Sequence, residues 1–371
     1  MKNTLGNNLT MTIFGESHGP CIGVTLDGLP SGFPVDQEAI LEDMEKRKAV
    51  GKLSTQRHEE DIPQIVSGLF QGKTTGTPLT ILIPNQDQRS KDYESLKGRL
   101  RPGHADYTAY KRYNGFQDYR GGGHFSGRLT ACIVAAGSIC KQILASHGVQ
   151  IGSHLEQCGT IQDRPFSSKE EQCAQEIDLV NQKTFAVLDP QKEEAMKQEI
   201  LLAQQEGDSV GGILETAILH YPAGIGDPIF DTLEGLLAHG LYAIPAVKAV
   251  SFGEGFNFAQ LKGSQANDAF VYDQTIQTKT NHNAGINGGI SNGMPIVIHT
   301  CIKPTPSIFK EQDSVDYLTK ENVKLKIEGR HDPCILHRAR IVVDCMCAFV
   351  LLDAWMEKAS LVPFMEDAYA R

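Results

Sequence analysis

The residues best equipped for chemistry fall in one stretch, 99–131, which reads RLRPGHADYTAYKRYNGFQDYRGGGHFSGRLTA. It sets six arginines and lysines, two histidines and a triple glycine ahead of the apolar segment 129–144. Glycines free the backbone, a helix start offers unpaired N–H groups, and basic side chains supply charge. Together these suit the binding of an anion. A turn capping an ordinary helix would explain a lone Gly-Gly-Gly. Here Arg101, His104, Asp106, Arg120, His124 and Arg128 all gather around one apolar helix, which decoration does not explain.

Two further stretches carry polar groups of interest. GESHG at 15–19 joins strand-like runs at 9–14 and 21–27. Its glycines permit tight turning and present His18 on a rigidly held loop, as a turn residue or as a working one. Segment 46–57 holds Lys46, Arg47, Lys48, Lys52 and Arg57. The first three suit the negative end of a helix dipole. The rest is polar and glycine-bearing and is expected to form a mobile lid.

The elements that must position these groups follow from periodicity. Asp36 caps a helix ending near Lys48, with Ile40, Leu41 and Met44 on one face. Runs at 64–70, 78–83, 149–161, 211–221, 247–252 and 295–302 read as strands, the first two joined as a hairpin. Helices are expected at 191–206, from a cap at Asp231 to Gly240, and at 338–358, the last apolar on more than one face. The polar segment 163–210 reads as a peripheral excursion of a single domain spanning 1–371. Strands and helices do not alternate regularly, and no GxGxxG follows the first strand. The expected class is therefore α+β, with helices packed on antiparallel sheets, and not a Rossmann fold. Arg101, His104 and Asp106 in one half are loosely echoed by Arg330, His331 and Asp332 in the other.

The totals narrow the function. A net charge of −10 disfavours nucleic acid as partner, while the local basic clusters suit a small, highly anionic molecule. Nine cysteines without a CxxC pair indicate neither a metal site nor a disulfide framework, which implies a reduced, cytoplasmic protein. The N-terminus does not read as a secretory signal, and no apolar run reaches the roughly 18 residues of a membrane span. His58, His147, His154, His220, His239, His282, His299 and His337 are scattered and read as surface or packing residues, and Trp355 as core.

Six motifs in order then bear a resemblance. GESHG at 15–19, RPGHADYT at 101–108, YRGGG at 119–123, NGGIS at 287–291, KPTPS at 303–307 and GRHDPC at 329–334 resemble chorismate synthase from the first strand to the last helix. The resemblance implies a helical layer sandwiched between two antiparallel sheets, a homotetramer, and an anti 1,4-elimination. That reaction converts 5-enolpyruvylshikimate 3-phosphate to chorismate and phosphate, the last step of the shikimate pathway, and needs reduced FMN without net redox change. By the same resemblance His18 protonates the leaving phosphate, His104 protonates the reduced flavin, and Asp332 helps remove a proton from it. FMN contacts fall on His124, Phe125, Ser126, Pro245, Ala246, Gly288, Lys303, Pro304, Thr305, Pro306, Ser307 and Arg330. Arg47, Lys52, Arg57, Arg101 and Arg128 serve the substrate or a nicotinamide cofactor. The flavin is reduced either by the protein itself with NADPH or by an outside reductant, and outside supply is the default because no added reductase domain is visible.

Departures from the common pattern are His124-Phe125 where many members carry Arg-Ser, Lys46-Arg47-Lys48 in place of three arginines, and Pro306 in place of a serine. The rival readings are a flavin-dependent oxidoreductase with net redox turnover and a non-enzymatic anion- or RNA-binding module.

Overall fold

In a computed structural model of the chain, residues 3–48, 51–54, 61–85, 98–327, 329 and 331–369 are described. Arg57, His58 and Arg330 lie outside the described residues, and Lys52 is described by its backbone alone. The helices are α1 (Gln37–Arg47), α2 (Asp106–Arg112), α3 (Thr130–Ser146), α4 (Glu170–Gln182), α5 (Pro190–Gln205), α6 (Leu233–Tyr242), the short α7 (Gly263–Ala266) and α8 (Leu336–Tyr369). One five-stranded antiparallel sheet has the spatial order Thr4–Leu5, Thr10–Gly15, Cys21–Asp27, Leu79–Pro84, Gln64–Ser67. A second has the order Val247–Phe252, Ile296–Ile302, Gly212–Leu219, Gln150–Cys158, Ile161–Gln162. The class is α+β.

Packing follows from residue type. Along Leu79–Pro84, Leu79, Ile81 and Ile83 alternate inward, the period-two signature of a sheet with one buried face. That sheet packs on α3, while α8 packs on the second sheet and on α3. Residues 130–140 of α3 are buried on every side. Gly137 makes the close approach possible, since a Cβ there would lie 2.4 Å from the Cys345 carbonyl oxygen of α8. At the other end of the chain, Asp353 of α8 accepts from the N–H groups of Asn7, Asn8 and Leu9 at 2.8–2.9 Å. This ties the first strands to the last helix.

Several boundaries differ from the sequence reading. Gly127–Ser146 is long and apolar enough to span a bilayer, contrary to expectation, yet most of it is buried within the protein. The α6 cap is Thr232, not Asp231, because Thr232 Oγ1 accepts from the Gly235 N–H at 3.1 Å. The 149–161 run breaks into two strands at Gly159, whose φ is +55°.

Segment 163–210 forms two helices that cover the second sheet. Gly152 lies beneath Ile177 of α4, and its neighbour Ser153 points to the opposite face and donates to Asp344 of α8. Beneath this cover His154 is fully buried, 3.2 Å from Asp163 and 2.7 Å from Glu215. Burial alone would push its pKa down, but the two carboxylates raise it above the usual histidine value.

Candidate active site

The site is built where three loops meet the start of α3. The GESHG loop leaves Thr10–Gly15 at Gly15, whose φ of +96° only glycine tolerates easily beside the Cys21 carbonyl. The loop is held from two sides. The Asn85 amide donates to Glu16 O and Gly19 O at 3.0 and 2.7 Å, and Ser17 N–H donates to Gly123 O at 3.1 Å.

The triple glycine has a steric reason. All three residues have positive φ (58°, 83° and 55°). A Cβ at Gly121 would lie 2.3 Å from His18 Cε1 and 2.9 Å from Ser17 Oγ. The glycine run therefore lets the His18 loop dock against it. His124 completes the joint, because its Nδ1–H donates to Gly15 O at 2.8 Å. A carbonyl can only accept, so the proton sits on Nδ1. Ser126 Oγ then accepts from Arg128 N–H at 3.3 Å and starts the helical turn leading into α3.

The RPGHADYT and KPTPS motifs meet in the same way. A Cβ at Gly103 would strike Pro306 Cβ at 2.7 Å, and Lys303 Nζ donates to Gly103 O at 2.7 Å. His104 bridges the two, with Nδ1 3.0 Å from Pro102 O and Nε2 2.9 Å from Ser307 Oγ. The carbonyl fixes the Nδ1–H tautomer, so Nε2 accepts from the serine hydroxyl. Burial and the nearby Arg101 guanidinium push the His104 pKa down to about 4, which leaves the ring neutral at pH 7. Arg101 grips Asp106 with two parallel bonds at 2.9 and 2.7 Å.

Three further arginines, Arg47, Arg128 and Arg338, are anchored by acids. Asp61 accepts from Arg47 at 3.0 Å and from Arg128 at 2.7 Å, with all three side chains buried. Asp332 pairs with Arg338, whose Nε–H donates to Arg47 O at 2.9 Å. Ala246 holds a left-handed backbone (φ +77°), and its carbonyl accepts from Lys303 N–H at 3.0 Å.

These groups surround one cavity of about 1270 Å³. Among the described residues its lining includes Arg47, Arg101, His104, His124, Phe125, Ser126, Arg128, Pro245, Ala246, Lys303, Thr305, Pro306, Ser307 and Asp332. His18 is buried behind the glycine run, and Pro304 sits between two lining residues. Gly288 lies in the turn between Ile286–Asn287 and Ile290–Ser291, away from that lining.

Comparison with known proteins gives the family. The family model described as chorismate synthase matches residues 9–356. The chorismate synthase of Pyrococcus abyssi is 44% identical over 349 residues, covering 94% of this chain and 96% of the relative. That of Dehalococcoides mccartyi strain BAV1 is 43% identical over 368 residues, covering 98% and 99%. A solved structure titled "Crystal Structure of Chorismate Synthase" superposes with a TM-score of 0.75 at 28% identity, covering 95% of this chain and 93% of that one. The chain belongs to the chorismate synthase family.

Chorismate synthases are lyases that eliminate phosphate from 5-enolpyruvylshikimate 3-phosphate, a substrate with one phosphate and two carboxylates. For a chorismate synthase, the basic loops of an otherwise acidic chain have a clear use. Sequence reading missed Asp61, Asn85, Arg338 and Lys248, all near or in the cavity wall. Asp61 sat in an acidic run (Glu59-Glu60-Asp61) and Asn85 in a charged loop, with no local signal. Arg338 reads in the sequence only as the start of a helix.

Proposed function

We propose that this chain catalyses the anti 1,4-elimination in the described cavity, with reduced FMN bound beside the substrate. The observation that carries the reading is the convergence of the RPGHADYT, YRGGG and KPTPS motifs on that one space, with the GESHG loop docked against the glycine run. Its volume of about 1270 Å³ exceeds the ~300–1,000 Å³ usual for one small ligand, which supports two ligands side by side. The turned-out backbone at Gly121–Gly123 and Ala246 suits a ring and a phosphate tail that need close approach.

Arg47, Arg101 and Arg128, with Lys52 and Arg57 from the adjoining segment, neutralise the substrate phosphate and carboxylates. His124, Phe125, Ser126, Pro245, Ala246 and Lys303 to Ser307 hold the cofactor side, with Arg330. When bound, reduced FMN supplies an electron-rich ring that assists phosphate departure and a basic nitrogen for the ring C–H. His18 gives a proton to the departing phosphate oxygen. His104 starts neutral, and an arriving anion raises its pKa, so it takes up a proton and holds it at Nε2. Asp332, oriented by its pair with Arg338, receives the proton removed in the elimination.

Replacing His18 or His104 with Ala is expected to lower turnover at least about a hundredfold while FMN binding and folding survive. Phosphate release followed beside flavin-fluorescence titration checks this, and near-normal turnover removes the role of that residue.

The same reading extends to the setting of the enzyme. We place helices between two antiparallel sheets, supported by α3 on one sheet, α8 on the other and the contact between them. Exposed Ile229, Phe230, Phe256, Phe270, Tyr272 and Ile276 support burial between copies in a homotetramer. Nine free cysteines support a cytoplasmic location, and an external reductant or NADPH would keep the flavin reduced.

A further inference from the structure

One carboxylate serves two arginines of the cavity wall. Asp61 Oδ2 accepts from Arg47 Nη1 at 3.0 Å, and Oδ1 accepts from Arg128 Nη1 at 2.7 Å. Only 2% of the Asp61 side chain is exposed, against 6% for Arg47 and 5% for Arg128. Further guanidinium contacts among the described residues include neutral acceptors. Arg47 donates to Thr130 Oγ1, Gly127 O and Arg128 O at 2.9–3.2 Å. Arg128 donates to Asn85 Oδ1 and Pro84 O at 2.5 and 3.2 Å. Asp61 itself holds a left-handed backbone with φ +45°, an arrangement that surrounding structure must enforce. All three residues line the cavity.

Two buried guanidiniums side by side repel, and their repulsion is weakly screened away from water. A carboxylate between them offsets that repulsion. It also fixes the spacing and the planes of both forks. Asn85 extends the arrangement, because its amide holds the His18 loop while its oxygen accepts from Arg128.

We propose that Asp61 is a positioning residue for the elimination. It sets Arg47 and Arg128 at the separation that receives an anionic group of the substrate and, through Arg128 and Asn85, holds that anion site in register with His18. This rests on the cavity being the site of the reaction.

The test separates positioning from charge balance, because the two roles predict opposite signs. Asp61→Asn keeps the shape and removes one negative charge, so the group becomes more positive. If Asp61 only balances charge, inorganic phosphate and the phosphorylated substrate bind as tightly as before or more tightly. If Asp61 positions the arginines, both bind at least tenfold more weakly, KM rises more than kcat falls, and the melting temperature of the full chain changes little by comparison. Asp61→Glu keeps the charge and changes the reach, and it is expected to be weakened likewise. Should the Asn variant fail to fold, the Glu variant decides the matter alone, and wild-type affinity in it overturns the proposal. Unchanged or tighter binding by Asp61→Asn also overturns it. The wild-type protein, titrated with the same two ligands, reports separately on whether the cavity is the site.

Discussion

At the scale of single residues, placement decides chemistry more than identity does. The chain has twelve histidines, and the structure gives them opposite characters. His154, between two carboxylates, is biased towards its charged form. His104, desolvated and beside Arg101, is biased towards its neutral form. The sign for stability follows from linkage. A folded pKa of about 4 lies below the ordinary value of 6.5, so the folded state binds fewer protons than the unfolded one. The contribution of His104 is complete above pH 6.5 and is lost as the pH falls towards 4. In the ligand-free protein the His104 ring, followed by NMR, is expected to titrate near pH 4, and inorganic phosphate is expected to move that midpoint upwards. A midpoint near 6.5 that ignores phosphate contradicts the assignment. Residue types such as His18, His104 and the arginines were legible in the sequence because their motifs are local. Their partners were not. Arg128 meets Asn85 and Asp61 across 43 and 67 positions, and no short-range pattern encodes such pairs.

At the scale of elements, long apolar segments were legible and their surroundings were not. The α3 and α8 helices were readable because apolar residues continue around every face. The sheet strands were readable from alternation. Helix α4 was not expected, since its buried face is only Cys173, Glu176, Ile177 and Val180 amid polar residues. What fixes the spacing of α3 and α8 is Gly137, which the sequence shows only as one small residue among several. Gly137→Ala puts a methyl 2.4 Å from a backbone oxygen that no side-chain rotation relieves. It is expected to cost about 1–3 kcal/mol, an overpacking penalty, read as a lowered midpoint in denaturant. An unchanged midpoint means that the helices are free to separate. Because the Ser126 turn runs directly into α3, the same substitution also bears on the site.

At the scale of the whole molecule, an acidic chain encloses a cavity in whose wall four arginines are held by acids. Arg47 and Arg128 share Asp61, Arg101 has Asp106, and Arg338 has Asp332. Positive charge is thereby held in place before any ligand arrives, which is how a preorganised site favours charge that develops as phosphate leaves. The class α+β was legible from the order of elements, but the cavity was not, because its motifs lie up to three hundred positions apart and meet only in the fold. The central claim is that this cavity performs an elimination without net redox change. It is tested most directly by incubating the protein anaerobically with a small, known amount of photoreduced FMN and an excess of 5-enolpyruvylshikimate 3-phosphate, then counting phosphate released against flavin consumed. Many phosphates are expected for each flavin, with the flavin still reduced at the end. One phosphate for each flavin oxidised would contradict the claim.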